Sequence, residues 1–499
     1  AGGVGAVTDA NAGALWGFGR SARLEFARLR LTCVDLPAAT AADDEVSVAA
    51  MVASLLRAAD GEAEVALSAA GVPHVHRLRR SSRRLGRIEA MPGTHEGTQL
   101  VSGGMGGLGL LCARWLADAH ADKIVLASRS GRAAADSMSE WRRLASRRGV
   151  AVTAMRCDVG SPSDVARMAL ALWKTPIRTV VHSAGVLDDA LLANQSAASI
   201  RRVFAPKVGG AWLLHAATLA QTEPLDAFVV FSSVASSLGG AGQTNYAAAN
   251  ASLDALTALR QAEGAAGSIA LQWGAVSGVG MGAATGADVQ LQRRGLPAVS
   301  ADMVCAALGA ALEGPRPPPV ALSIVAADWA RYRKWAPASF APYLSEVTSA
   351  PSAPSPAAEP VAASTTSLAS LASEDDTPLW LRSAEAILSP APRPAAARVT
   401  AAAAVPAPAS GKALEIVVKA SEEILGGTID PHLTFMELGM DSLTLIELSN
   451  SLEGELGLSL GSTATIDHPT PAALAAHIAP QLGAAPAAAG GSAALDVVV

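Results

Sequence analysis

Ser233, Tyr246 and Asn250 are the residues whose types and spacing suit chemistry on a carbonyl group. A serine hydroxyl at a strand end can hold a carbonyl oxygen, and a tyrosine on the next helix can give that oxygen a proton. The apolar run 227–231 predicts a buried parallel strand ending just before Ser233. The Gly-rich stretch after it reads as a loop, and the Ala-rich segment from Thr244 reads as a helix. Tyr246 and Asn250 are four apart and so share a helical face.

A second constellation lies upstream. A strand at 99–101 runs into Ser102, Gly103, Gly104, Gly106, Gly107, Leu108 and Gly109, followed by a helix at 110–119 and a strand at 123–127. In this strand–loop–helix–strand context the glycines let backbone approach a pyrophosphate, and the helix start offers unpaired N–H groups. Ser128 and Arg129 follow the second strand, where an NAD-specific fold usually carries an acid; a guanidinium there suits the 2′-phosphate of NADPH. Strands at 151–155 and 179–182 end at Asp158 and Val159, expected to face adenine, and at Ser183, Ala184 and Gly185, expected beside the cofactor. A helix over 200–219 carries Lys207, and strands follow at 228–231 and 269–273. Six strands alternating with helices predict an α/β, Rossmann-like, doubly wound parallel sheet with active residues at the C-terminal strand ends. Residues 278–299 read as a mobile lid, 302–313 as a helix and 321–325 as a further strand.

The elements that frame these sites fall into several units, as 499 residues require. Residues 1–90 read as a degenerate α/β unit, with helices at 14–28 and 46–59 and strands at 31–36, 65–67 and 72–78. His74 and His76 are half a metal site without a third ligand, so packing histidines are the simpler reading, and no metal is expected. Arg77, Arg79, Arg80, Arg83, Arg84 and Arg87 form a run without aromatics, which reads as a solvated connector, with carrier docking as the alternative. Residues 349–411 are rich in Pro, Ala and Ser and read as a semi-rigid linker holding one helical island at 377–388. Residues 412–482 predict a compact helical module, with helices at 413–425, 441–456 and 470–482 and a turn at 463–467; 483–499 reads as a disordered tail. The module holds ten acidic residues against two lysines, a net −8, so the rest of a chain at −6 overall carries +2. That balance suits a carrier docking on basic surfaces and argues against nucleic-acid binding. Four isolated cysteines, no secretory signal and no apolar run of membrane-spanning length lead to the expectation of a cytoplasmic protein with reduced thiols.

Ser233, Tyr246 and Asn250 with the 102–109 loop resemble a short-chain dehydrogenase/reductase. Ordinary members place lysine four after the tyrosine; here Asn250 stands there and the lysine is upstream at Lys207. That exchange resembles the ketoreductase domains of modular polyketide synthases and animal-type fatty acid synthases. Leu15-Trp-Gly-Phe-Gly-Arg20 and Trp273-Gly274 are similar to the same family, so the resemblance covers about 1–348. It implies a catalytic subdomain at 91–348 and, at 1–90, a truncated pseudo-Rossmann structural subdomain lacking its first strands. Phe435-Met-Glu-Leu-Gly-Met-Asp-Ser-Leu443 resembles an acyl carrier protein, a small all-α four-helix domain, and implies 4′-phosphopantetheine on Ser442.

The resemblance implies NADPH-dependent reduction of a β-ketoacyl thioester, with Tyr246, Ser233, Lys207 and Asn250 as the catalytic set. It also implies partner ketosynthase and acyltransferase domains and a phosphopantetheinyl transferase. Lys207 and the nicotinamide charge are expected to bring the Tyr246 phenol down toward working pH. Leu187, Asp188 and Asp189 are similar to the B-type signature, associated with a D-configured hydroxyl; helix capping is the alternative for the two aspartates. The A-type tryptophan position is Leu238, and Ala248 in place of proline resembles the non-epimerising subclass. A carrier with a silent reductase fold, a fatty acid synthase-like segment and a free-standing dehydrogenase are the competing readings.

Overall fold

The computed structural model describes residues 12–26, 30–36, 61–68, 72–81, 97–348 (apart from 120, 136, 266, 280–286 and 314–317), 411–482 (apart from 426, 436, 441, 457–459 and 461–463) and 496–498. The expected helix at 46–59, Arg83, Arg84, Arg87 and the linker with its island lie outside them. The chain divides into a larger α/β unit and a smaller helical one.

The larger unit is built on seven parallel strands: β4 (Thr98–Ser102), β5 (Lys123–Ser128), β6 (Ala151–Arg156), β7 (Ile177–His182), β8 (Ala227–Ser233), β9 (Ser268–Trp273) and β10 (Ala321–Ile324). Their order is β10-β9-β8-β7-β4-β5-β6. The 321–325 segment thus joins the six expected strands as a seventh, paired with β9 in register Leu322↔Leu271. The chain runs outward from β4 to β6 and then crosses to β7, so a crevice opens at the C-terminal ends of β4 and β7, where such sheets take ligands. Val101, Val181, Val229 and Ile269 lie side by side across the sheet and are wholly buried, since helices cover both faces. One face packs Leu110, Trp115 and Leu116 of one helix with Val304 and Leu308 of another; the opposite face packs Val165, Met168, Leu214 and Leu253.

The N-terminal strands form a separate small sheet. There β1 (Arg30–Asp35) is parallel to β2 (Glu64–Leu67), and β2 is antiparallel to β3 (Pro73–Val75). A three-residue strand, β11 (Asp496–Val498), lies beside β1, and the rest of the expected tail lies outside the described residues. Helix α1 (Gly13–Glu25) precedes this sheet and lies against the long helix Thr244–Ala262 that carries Tyr246. The two backbones meet closely because glycines of α1 face alanines. A Cβ on Gly17 would sit 2.2 Å from the Ala247 carbonyl oxygen, and one on Gly13 would sit 2.5 Å from the Ala255 Cβ.

The basic run is not a bare cationic patch where it is described: Arg77 pairs with Glu62, Arg79 with Glu346, and Arg80 donates to the Val347 carbonyl. His74 is exposed, and the His76 ring lies against Tyr343 with centroids 5.0 Å apart. Of the expected lid, 280–286 lies outside the described residues; 287–293 is helical, and Val276 bridges Val299 at the base.

The smaller unit contains helices Gly411–Leu425, Ser442–Leu456, Ala464–Asp467 and Pro471–Leu482, close to the expected bounds. Val417, Phe435, Leu448, Leu452, Leu474 and Ile478 form its core. The second helix begins at Ser442.

Gly17→Ala is expected to push α1 off the Tyr246 helix and to cost about 1–3 kcal/mol, as overpacking does. A thermal melt of the full chain checks it, and an unchanged midpoint would show that the close approach is unimportant.

Candidate active site

Ser233 is the last residue of β8, and its Oγ accepts from the Ala235 N–H at 3.1 Å with the Trp273 carbonyl 3.4 Å away. Tyr246 lies in the first turn of the helix Thr244–Ala262. Asn245 holds that turn: its Oδ1 accepts from the Tyr246 N–H at 2.7 Å, and its Nδ2 donates to the Asp188 carbonyl at 2.7 Å. Gln243 donates to the Asp189 carboxylate at 2.8 Å, and the Ala190 N–H donates to the Gly242 carbonyl at 2.9 Å. Asp188 pairs with Arg202 at 2.8 Å. Leu187, Asp188 and Asp189 thus lie in an irregular segment stitched to the turn before Tyr246, and neither aspartate caps a helix.

Lys207 reaches the same place from another element. The expected continuous helix at 200–219 is interrupted by a π turn, Ala205–Gly209, between Ala197–Phe204 and Gly210–Leu219. Pro206 has no N–H to give the regular ladder, and the wider turn accommodates it. The Lys207 side chain is buried, donates to the Phe231 carbonyl at 2.9 Å, and sets its ammonium 5.3 Å from the centre of the Tyr246 ring. Burial pushes that ammonium down to about 8, against the pull of Asp254. The Tyr246 phenol behaves differently from expectation. Burial raises it, and hydrogen bonding to Asn250 and Ser233 offsets this only in part. Lys207 gives its hydrogen bond to backbone, so desolvation prevails and keeps the phenol protonated. Asn250 donates from Nδ2 to the Tyr246 carbonyl at 2.8 Å, while its buried Oδ1 has no hydrogen-bond partner among the described residues.

The glycine loop opens at the end of β4. Gly103 has φ +67°, and a Cβ there would sit 2.8 Å from the Ala184 nitrogen, so the loop lies directly on the segment after β7. A Cβ on Gly109 would sit 2.4 Å from the Gly103 oxygen, which lets helix and loop touch. Gly106 is exposed and caps the helix Gly107–Asp118, which also contains Leu108, without any side-chain hydrogen bond. The first N–H groups of that helix are therefore open to an anion. Arg129 is exposed just past β5, and Ser128 Oγ accepts from Gly131 N–H at 3.1 Å. Asp158 accepts from the Gly160 N–H at 3.0 Å, and Val159 is buried beside it. Gly185 follows Ser183 and Ala184 in the irregular segment past β7. The buried Ser102 hydroxyl donates to His182 Nδ1 at 2.7 Å, and its carbonyl accepts from Ser183. All these groups gather on the crevice side of the sheet, and the uncapped helix start and glycine-lined turn fit a dinucleotide phosphate.

Sequence reasoning passed over His182. Its Nε2–H donates to the Lys207 carbonyl at 2.8 Å while Nδ1 accepts from Ser102, so one neutral imidazole ties the glycine loop to the lysine turn. A histidine ending a buried strand beside a dinucleotide loop was the available signal. Asp254, Ser236 and Gln272, linked behind Ser233, were also passed over.

A KR-domain model matches residues 97–278, and a phosphopantetheine attachment site model matches 415–478. Polyketide synthase GfsA of Streptomyces halstedii is 36% identical over 468 residues, covering 93% of this chain and 6% of that protein. Pikromycin polyketide synthase component PikAIII of Streptomyces venezuelae is 33% identical over 476 residues, covering 94% of this chain and 28% of that protein. The chain therefore spans only a small part of the curated relatives it matches. A solved structure described as A-type ketoreductases from a modular polyketide synthase superposes with a TM-score of 0.59 at 32% identity, covering 68% of this chain and 70% of that one. The fold and the site define a short-chain reductase. The chain belongs to the ketoreductases of modular polyketide synthases, joined here to a phosphopantetheine-type carrier domain. Among the described residues no helix is long and apolar enough to cross a membrane, and no cluster of three or more His, Cys, Asp or Glu could hold a metal.

Burial pushes His182 down to about 4. The native state keeps it neutral while the unfolded chain takes up a proton below about pH 6.5. Its contribution is therefore whole at neutral pH and is lost as pH falls from about 6.5 toward 4. Urea unfolding is expected to show about 2 kcal/mol less stability at pH 5 than at pH 7 from this group, and His182→Gln should remove that part of the difference.

Proposed function

We propose that the larger unit transfers hydride from NADPH to the β-carbonyl carbon of a thioester on the carrier, giving a D-configured β-hydroxyacyl thioester. The observation that carries this reading is the buried Lys207 ammonium 5.3 Å from the Tyr246 ring centre, in the crevice that also receives Ser233. As negative charge develops on the substrate oxygen, Tyr246 gives it a proton and Ser233 donates a hydrogen bond. A phenol kept protonated by burial is in the form that an acid requires. Lys207 stabilises the phenolate left behind, and the free Asn250 Oδ1 accepts from a water that returns the proton.

The dinucleotide, when bound, supplies the hydride. Gly103, Gly104, Gly106, Gly107 and Gly109 would cradle its pyrophosphate, Arg129 its 2′-phosphate, and Asp158 and Val159 its adenine side. The stereochemical part rests on Leu187, Asp188 and Asp189, whose hydrogen bonds set the turn before Tyr246 and so one wall of the substrate's path. The lack of an A-type tryptophan at Leu238 supports the same reading. Ser442, at a helix start, is the residue a phosphopantetheinyl transferase would modify, in the cytoplasm, before ketosynthase and acyltransferase domains supply the substrate.

Incubation with NADPH and a racemic-free diketide thioester, followed by chiral analysis, is expected to give the D-hydroxy product; an L product would overturn the stereochemical assignment. Tyr246→Phe should keep NADPH binding and lose at least about 100-fold in kcat, the scale of general acid catalysis. Near-normal turnover in that variant would remove Tyr246 from its role. Ser442→Ala should abolish the mass gain from phosphopantetheine while reduction of a free thioester continues.

A further inference from the structure

Helix α1 contributes no group to the chemistry above, yet two consecutive side chains on it close the turn between Ser233 and Tyr246. After Ser233 the chain makes one helical turn, Ala235–Leu238, and leaves it at Gly239, whose φ of +71° and ψ of 178° suit glycine alone. The Gly239 N–H still donates to the Ala235 carbonyl at 3.0 Å. The next hydrogen bond of such a helix would run from the Gly240 N–H to the Ser236 carbonyl. Helix α1 takes both groups instead. Arg20 Nη1 donates to the Ser236 carbonyl, and Ser21 Oγ accepts from the Gly240 N–H at 3.1 Å. Both side chains are buried.

The far side of the guanidinium is fixed from β2. Arg20 Nε donates to Glu64 Oε1 at 2.8 Å and Nη2 donates to Glu64 Oε2, a two-pronged pair that sets the plane of the fork. The backbone of α1 is itself seated on the Tyr246 helix at Gly13 and Gly17. Within the turn, the Ala235 N–H donates to Ser233 Oγ at 3.1 Å and Ser236 Oγ donates to the Ser233 carbonyl at 2.8 Å. The segment that α1 grips is therefore bonded directly to Ser233. On its other side the Gly240 carbonyl accepts from the Gln243 N–H at 3.0 Å, and the Gln243 carbonyl accepts from the Ala247 N–H at 2.8 Å, next to Tyr246.

We propose that Arg20, with Ser21, is a positioning residue of the reductase: from outside, it ends the helical turn after Ser233 and so fixes the Ser233 hydroxyl against the Tyr246 phenol. This rests on the reductase reading above. A hydrogen-bond donor and an acid that must meet on one oxygen tolerate little displacement, and about 1 Å costs on the order of 100-fold in rate. Without the two side chains, the Gly240 N–H and the Ser236 carbonyl would be left to pair with each other, which would lengthen the helix and shift the turn that carries Ser233. Lysine is no substitute for Arg20, because one ammonium cannot present the planar fork that serves Glu64 and the Ser236 carbonyl together.

The test uses the full chain with NADPH and a diketide β-ketothioester. Arg20→Lys is expected to lower kcat about 10-fold while the Kd for NADPH stays within about 2-fold of wild type. Ser21→Ala removes only the acceptor for Gly240; it should lower kcat in the same sense by about 3-fold, and it decides the matter if the Arg20 variant does not fold. In a Ser233→Ala background neither change should cost more than about 2-fold further, because the hydroxyl they position is gone. Amide hydrogen exchange over 234–240 should rise at least about 10-fold in both variants, with the strand Ala227–Ser233 unchanged. Exchange over 234–240 that stays at the wild-type rate, or losses in kcat that multiply in full with that of Ser233→Ala, overturns the proposal. A wild-type chain that binds NADPH and shows no turnover would instead sink the reductase reading, and the exchange arm would still decide whether α1 holds the turn.

Discussion

A lysine ammonium taken out of water beside a phenol is the constraint on which the rest of this site depends. Moving the Lys207 ammonium from 10.5 to about 8 is a net bias on the order of 3 kcal/mol against its charged form, and the hydration lost is larger by what the surroundings return. The surrounding structure offsets part of that cost. The Phe231 carbonyl accepts a hydrogen bond, and the Tyr246 ring presents a face. A widened turn containing Pro206 puts the side chain where these groups can act. The result is a cation held inside the fold next to the one phenol of the crevice.

The same burial explains why Tyr246 stays protonated. A charged group close by would favour phenolate, but the ammonium's hydrogen bond goes to backbone and desolvation prevails. His182 then joins the lysine turn to the dinucleotide loop, with each ring nitrogen committed in a fixed tautomer. Cofactor cradle and proton machinery therefore share one buried hydrogen-bonded link rather than standing as independent parts.

The Tyr246 helix works on two sides. Tyr246 and Asn250 line the side toward the chemistry, while Ala247, Ala251 and Ala255 accept the glycine ridge of α1. A helix buried on both sides has little use for an amphipathic pattern, which is why this one reads as plainly Ala-rich. The small N-terminal sheet reaches the reaction crevice through α1, because Glu64 of β2 orients Arg20 and Arg20 grips the turn after Ser233. Of the four free thiols, Cys33, Cys112 and Cys157 are buried and Cys305 is half-buried.

Periodicity and punctuation made much of this legible in the residues alone. Long apolar runs marked the parallel strands, glycines marked the dinucleotide loop, and a tyrosine on an Ala-rich helix start marked the acid. These signals are local, because strand burial, tight turns and helix faces each depend on a few neighbouring residues. The β10 strand was readable as an element, but its place as the seventh of the sheet depended on long-range pairing. The protonation state of Tyr246, the inward turn of Lys207 and the links made by His182 and Asp254 came only with tertiary structure. Desolvation and hydrogen-bond competition depend on groups 24 to 80 residues apart in the chain, as Lys207–Phe231 and Ser102–His182 show, and no local pattern encodes them.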